Sequence, residues 1–158
     1  MKKLILLTVG AIFCSTVLMV AAPKTIWLIG DATMAHYTDS TSAYGWGTAL
    51  EQYINNRIDV VNMAGTGVSA KIFDEDNMIA KIEDMPKKSY IFLQFGANDL
   101  REDIPEQYSS SEAFARRLNN IISIAKKNKI NIVLCTPLAQ PYYQDSTLVD
   151  RLGIYPEI

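Results

Sequence analysis

Thr25-Ile26-Trp27-Leu28-Ile29 runs without a charge straight into Gly30-Asp31. An unbroken apolar run rich in β-favouring residues marks a strand buried on both faces, which points to a parallel sheet covered by helices. That run sets the fold class. Charge follows at once, so Gly30-Asp31 reads as a tight turn at the strand's C-terminal end. In open α/β sheets that edge is where ligands bind.

The same design recurs downstream. Ile58 to Met63 opens into Ala64-Gly65-Thr66-Gly67-Val68-Ser69, and Tyr90 to Phe95 opens into Gly96-Ala97-Asn98-Asp99. A fourth run, Ile130 to Cys135, ends at Thr136-Pro137. Helical periodicity fills the gaps. Trp46, Leu50, Tyr53 and Ile54 share one apolar face, and Phe73 to Ile82 predicts a second helix with Met78, Ile79 and Ile82 on one side, ended by Pro86. Ser109-x-x-Glu112 reads as a capping box for the longest helix. Phe114, Leu118, Ile121, Ile122 and Ala125 form its core stripe, with Lys126, Lys127 and Lys129 near its C-terminal dipole. Strands alternating with helices over short connections predict a parallel sheet with right-handed crossovers. From Leu138 onward the sequence shows turn chemistry and one weak helical stretch, with no further strand expected.

Composition narrows the class. A chain of 158 residues, 49% hydrophobic and with a net charge of −2, suits one ordinary α/β domain and excludes a disordered or nucleic-acid-seeking protein. Lys87-Lys88 and Lys126-Lys127 read as solvated charges at a turn and a helix end. Met1-Lys2-Lys3 precedes an uncharged stretch from Leu4 to Ala22, the pattern of an export signal over residues 1–22, which leaves 23–158 as the domain. The stretch is long enough to span a bilayer if uncleaved. Cleavage is expected, because only Pro23-Lys24 separate it from a strand that must enter the sheet. The mature chain would then be periplasmic or extracellular, with no stable membrane association. Cys14 follows Phe13 rather than the small residue usual before a lipoprotein cysteine. Cys135 would be the mature chain's sole cysteine, a packed and inert thiol unable to form an internal disulfide or a metal site. His36, the sole histidine, lies in a polar loop to Ser42 and reads as a surface residue.

The three strand ends carry more than turn chemistry. Gly30-Asp31-Ala32-Thr33-Met34, then Asn62-x-Ala64-x-x-Gly67-x-Ser69, then Gln94-Phe95-Gly96-x-Asn98-Asp99 together resemble the SGNH (GDSL-like) hydrolases. Within that superfamily the chain is most similar to the rhamnogalacturonan acetylesterase-like carbohydrate esterases. The resemblance runs from about Thr25 through Thr136-Pro137 to Leu152-Gly153-x-Tyr155-Pro156. Each block alone is weak, but three in order form a specific signal.

The resemblance implies a three-layer α/β/α sandwich with a flavodoxin-like parallel sheet, whose final strand and helix this sequence does not supply. It implies hydrolysis of acetyl esters on pectin- or rhamnogalacturonan-type polysaccharides by a serine mechanism, with no cofactor and no metal. In the family the oxyanion is held by the nucleophile's own N–H, a second-block glycine N–H and a third-block asparagine amide. Those positions here are Ala32, Gly67 and Asn98, and Asp31 would hold the turn rather than act as a base. The departures bear directly on activity. Ala32 stands where the family has its nucleophilic serine, Ala97 where it has a histidine, and Val68 where it usually has an arginine. The D-x-x-H block that supplies the remaining catalytic Asp and His is absent. The expectation is therefore an inactive acetylesterase, with a non-catalytic pseudoesterase that binds acetylated polysaccharide, or a non-functional gene fragment, as the alternatives. Thr33 carries a hydroxyl but lies one residue off the turn apex. A flavodoxin-like nucleotide-binding domain fits less well, because no G-x-x-x-x-G-K-[ST] occurs and Gly65-Thr66-Gly67 lacks the G-x-x-G continuation. The fourth strand has the composition of a central strand yet would lie at an open edge, which implies self-association through it.

Overall fold

The computed structural model describes residues 24–37, 45–139, 143–150, 152, 153 and 155. The expected signal segment, with Cys14, and positions 38–44 of the polar loop lie outside the described residues.

Four parallel strands, β1 (Lys24–Gly30), β2 (Ile58–Asn62), β3 (Tyr90–Gln94) and β4 (Asn131–Leu134), form a sheet in the order β2-β1-β3-β4. Pairing runs on past the strand ends, since Met63 N–H donates to the Leu28 carbonyl at 2.8 Å and Cys135 N–H to the Leu93 carbonyl at 2.8 Å. The chain steps from β1 outward to β2, then crosses back over β1 to β3. That reversal is the topological switch point, and it opens a crevice beside the C-terminal end of β1.

Side chains alternate across the sheet, so each strand feeds two cores. Ile26 and Leu28 of β1, with Tyr90 and Phe92 of β3, pack beneath α1 (Trp46–Tyr53) through Trp46, Leu50 and Ile54. On the other face Ile29, Ile91 and Leu93 meet α2 (Ala70–Glu75), α3 (Ala80–Glu83) and α4 (Ser111–Lys127) through Phe73, Ile82, Phe114, Leu118 and Ile121. Helices thus cover both faces, in three layers.

Four local readings change. The helix expected over Phe73 to Ile82 is two short helices, because Asn77 takes a left-handed φ of 56° that a continuing helix cannot hold. Tyr53 is 84% exposed rather than core, since α1 stops there and the extended, partly buried Ile54 packs against the core instead. The N-cap of α4 is Ser110, whose hydroxyl accepts the Ala113 N–H, while Ser109 is buried against Asp99. Beyond Leu138 a two-residue hairpin forms, β5 (Tyr143–Gln144) with β6 (Thr147–Leu148), turning through left-handed Asp145 and Ser146. Periodicity cannot register strands that short.

As expected, β4 lies at the sheet edge, with Val133 39% and Leu134 50% exposed. Cys135 is half-buried, and burial pushes its thiol up from the ordinary range, which keeps it protonated and unreactive.

Candidate functional site

The three Gly-bearing loops meet at the C-terminal edge, and side-chain hydrogen bonds tie each to the next. The first loop is built by Asp31. Its Oδ1 accepts the Thr33 N–H at 2.8 Å and the Thr33 hydroxyl at 2.7 Å, an Asx turn that holds Ala32 at its apex. The side chain is 2% exposed and its Oδ2 has no hydrogen-bond partner. These hydrogen bonds of Asp31 thus lie within the turn itself. The Tyr37 hydroxyl donates to the Ala32 carbonyl at 2.9 Å and pins the apex from outside.

Gln94 joins the third loop to the first. Its amide Nε2 donates to the Thr33 hydroxyl, and its Oε1 accepts the indole N–H of Trp46 at 2.8 Å. The Thr33 hydroxyl thus both donates and accepts within the wall of the turn. Asn62 joins the second loop to the first, with Nδ2 donating to the Met34 carbonyl at 2.9 Å and Oδ1 accepting the Ala64 N–H at 3.0 Å. Gly65 N–H donates to the Gly30 carbonyl at 3.1 Å and closes the same seam.

Gly67 sits at φ 76°, where an L side chain is strained, and a Cβ there would lie 3.2 Å from Gln107 Nε2. The loop over 100–108 folds onto this segment, and Lys71 Nζ donates to the Pro105 carbonyl at 2.8 Å. Asn98 reaches the Gly67 loop, its Nδ2 donating to the Val68 carbonyl at 2.8 Å. Gly96, at φ 122°, is closed in by Pro137 and Tyr155, so the segment after β4 docks against the third loop.

Ala32, Gly67 and Asn98 are all partly exposed at this edge. Asp31, Gln94 and Asp99 are buried beneath them. His36 is exposed, with Nδ1 3.1 Å from the Thr48 hydroxyl. Among the described residues no cluster of His, Cys, Asp and Glu could hold a metal ion. Sequence reasoning gave no site role to Trp46, read only as part of an apolar helix face, to Gln94, quoted only within a motif, or to Tyr37 and Gln107. The bonds that Trp46, Gln94 and Tyr37 make depend on how the chain folds. Asp99 was visible only as part of a motif. It accepts the Ala70 and Gly96 N–H groups, and burial pushes its carboxyl up to about 6, the hydrogen bonds it accepts opposing that rise.

A doubly wound parallel sheet with three polar, Gly-bearing loops at its switch point defines an α/β protein built on the SGNH hydrolase plan. The sequence model of the GDSL-like lipase/acylhydrolase family matches residues 26–154, and the chain belongs to that family. It is 32% identical over 132 residues to the probable rhamnogalacturonan acetylesterase YesY of Bacillus subtilis (strain 168), covering 82% of this chain and 61% of that protein. It is 25% identical over 142 residues to the rhamnogalacturonan acetylesterase RhgT of the same strain, covering 88% of this chain and 60% of that protein. The chain thus spans about three fifths of the length of the curated relatives it matches. Among solved structures it resembles the acetylxylan esterase Axe2 of Geobacillus stearothermophilus at a TM-score of 0.57 and 20% identity, over 78% of this chain and 64% of that one, a likeness of fold.

Proposed function

We propose that this chain carries the acetyl-binding part of a carbohydrate acetylesterase site and, with Ala32 at the nucleophile position, binds acetylated polysaccharide of the pectin or rhamnogalacturonan type without cleaving its ester efficiently. The observation that supports this reading is the Ala32 turn, held on both sides by the Asp31–Thr33–Gln94 network although it bears no nucleophile. The acetyl carbonyl would accept from the Ala32 N–H, the Gly67 N–H and the second amide hydrogen of Asn98, the first being engaged with Val68. A methyl group removes the attacking oxygen and leaves the N–H in place. Thr33 does not replace it, because its hydroxyl is committed in both directions.

Acetate release from an activated acetyl ester and from acetylated pectin tests this. The unmodified chain should show no efficient turnover. Ala32→Ser alone should gain little, because triad members act as a unit and a site stripped of its triad keeps only about 10³ over water. Serine restored together with a family-like segment carrying D-x-x-H should far exceed either change alone. Strong turnover by the unmodified chain would overturn the reading. The same reading has the chain exported and cleaved between Ala21 and Lys24, which N-terminal sequencing of the mature product would read. Intact Met1 on a membrane-embedded product would refute export in this form.

A further inference from the structure

The third loop holds a carboxylate that acetyl binding leaves without a task. Asp99 is fully buried where three segments converge. Both its oxygens lie 3.1 Å from the Ala70 N, Oδ2 accepts the Gly96 N–H at 3.1 Å, and Oδ1 accepts the Ser109 hydroxyl at 3.2 Å. Its own carbonyl accepts the Ser109 N–H at 2.9 Å. Ala70 opens α2 directly after the Gly67 loop, and Gly96 opens the turn that presents Asn98. Asn98 and Asp99, adjacent in sequence, therefore grip the second loop at Val68 and Ala70.

We propose that Asp99 is the positioning residue of the acetyl cradle, its carboxylate fixing the Gly67 donor relative to the Asn98 donor by clamping Ala70 to Gly96. This inference rests on the cradle reading of Gly67 and Asn98. Asp99 touches neither the ester nor a reacting atom, and it acts through the two loops.

The clamp holds an acid that can titrate in place. From α4, Arg117 Nη1 lies 3.4 Å from the Ser109 hydroxyl, and from the C-terminal segment the Tyr155 hydroxyl donates to the Ser109 carbonyl. Lys71 of α2 turns its ammonium away to Pro105. Tyr108, Glu102 and Glu112 complete the charged and titratable surroundings through Tyr155. The bonds to the carboxylate come from neutral N–H and O–H donors, and with burial they leave its carboxyl at about 6. A protonated Oδ1 can donate to Ser109 while Oδ2 keeps both backbone donors. Asp99→Asn reproduces that arrangement, and Asp99→Ala removes it.

The experiment is ¹⁵N–¹H NMR of the full chain across the pH range around 6, for the wild type and both variants. In the wild type the amide signals of Ala70 and Gly96, the Gly67 amide and the Asn98 side-chain amide should move together with one midpoint. D99N should abolish that titration with the Gly67 and Asn98 signals in place, and D99A should displace or broaden them. The clamp is overturned if Gly67 and Asn98 stay still while Ala70 and Gly96 titrate, or if D99A leaves the cradle signals unmoved. Should D99A fail to fold, the pH series of wild type and D99N decides alone. Acetylated pectin oligosaccharide added to the wild type separates the two ideas. No response at Gly67 and Asn98 would remove the acetyl reading and leave the clamp, whereas wild-type binding by D99A would remove the clamp and leave the reading.

Discussion

Replacing Asp99 by Asn should make the protein's stability less sensitive to pH, by an amount the structure sets. Burial raises the Asp99 carboxyl from 3.8 to about 6. Each unit is worth about 1.36 kcal/mol, so the whole effect is about 3 kcal/mol. The sign follows from proton binding. Between those two values the folded chain holds a proton that the unfolded chain has released, so stability falls as pH rises. The contribution is fully present below about pH 4 and is lost as pH passes through about 6. An asparagine is always neutral, and its oxygen can keep the Ala70 and Gly96 donors. The assay is urea unfolding followed by circular dichroism at several pH values between about 4 and 7. Subtracting wild type from D99N cancels the titration of every other carboxylate. The difference should grow in favour of D99N by up to about 3 kcal/mol with rising pH, which at a slope of about 2 kcal/mol/M moves the midpoint by more than about 1 M. A difference that stays constant with pH would show that Asp99 ionises in the fold as it does in water.

Gly67→Ala places a side chain at φ 76° and close to Gln107, so thermal melting should show a loss of about 1–2 kcal/mol together with weaker acetyl-oligosaccharide binding. An unchanged melting temperature would mean that the loop relaxes freely. Val133→Lys puts a charge on the exposed β4 edge, where 39% of the residue already meets solvent. We propose self-association through this edge, so wild-type association with rising concentration in sedimentation velocity should fall in the variant. No wild-type association, or equal association in both proteins, would refute it.

The sheet was legible because its strands advertise themselves. β1 and β3 are covered on both faces, so their sequences read as continuous apolar runs, and each ends where a glycine lets the chain turn. The stripe of α4 was equally plain, since the helical period repeats over 17 residues. The positions of the candidate site followed from three short blocks, which fix backbone geometry within a few residues of each strand end. What joins the blocks did not follow. Trp46 meets Gln94 across 48 residues, and Asp99 meets Ala70 across 29. Neither pair leaves a local pattern, because hydrogen bonds between segments depend on strand order and on how the crossovers lay the loops together. The break at Asn77, the shift of the cap from Ser109 to Ser110 and the exposure of Tyr53 share that cause. Local propensity offered each residue one role, and the neighbours supplied by the rest of the chain gave it another. The sequence by itself determined which segments are the four strands of the parallel sheet and where their polar ends lie. Only the tertiary structure decided that a buried carboxylate would hold two of those ends together, because burial, unlike periodicity, belongs to the assembled chain.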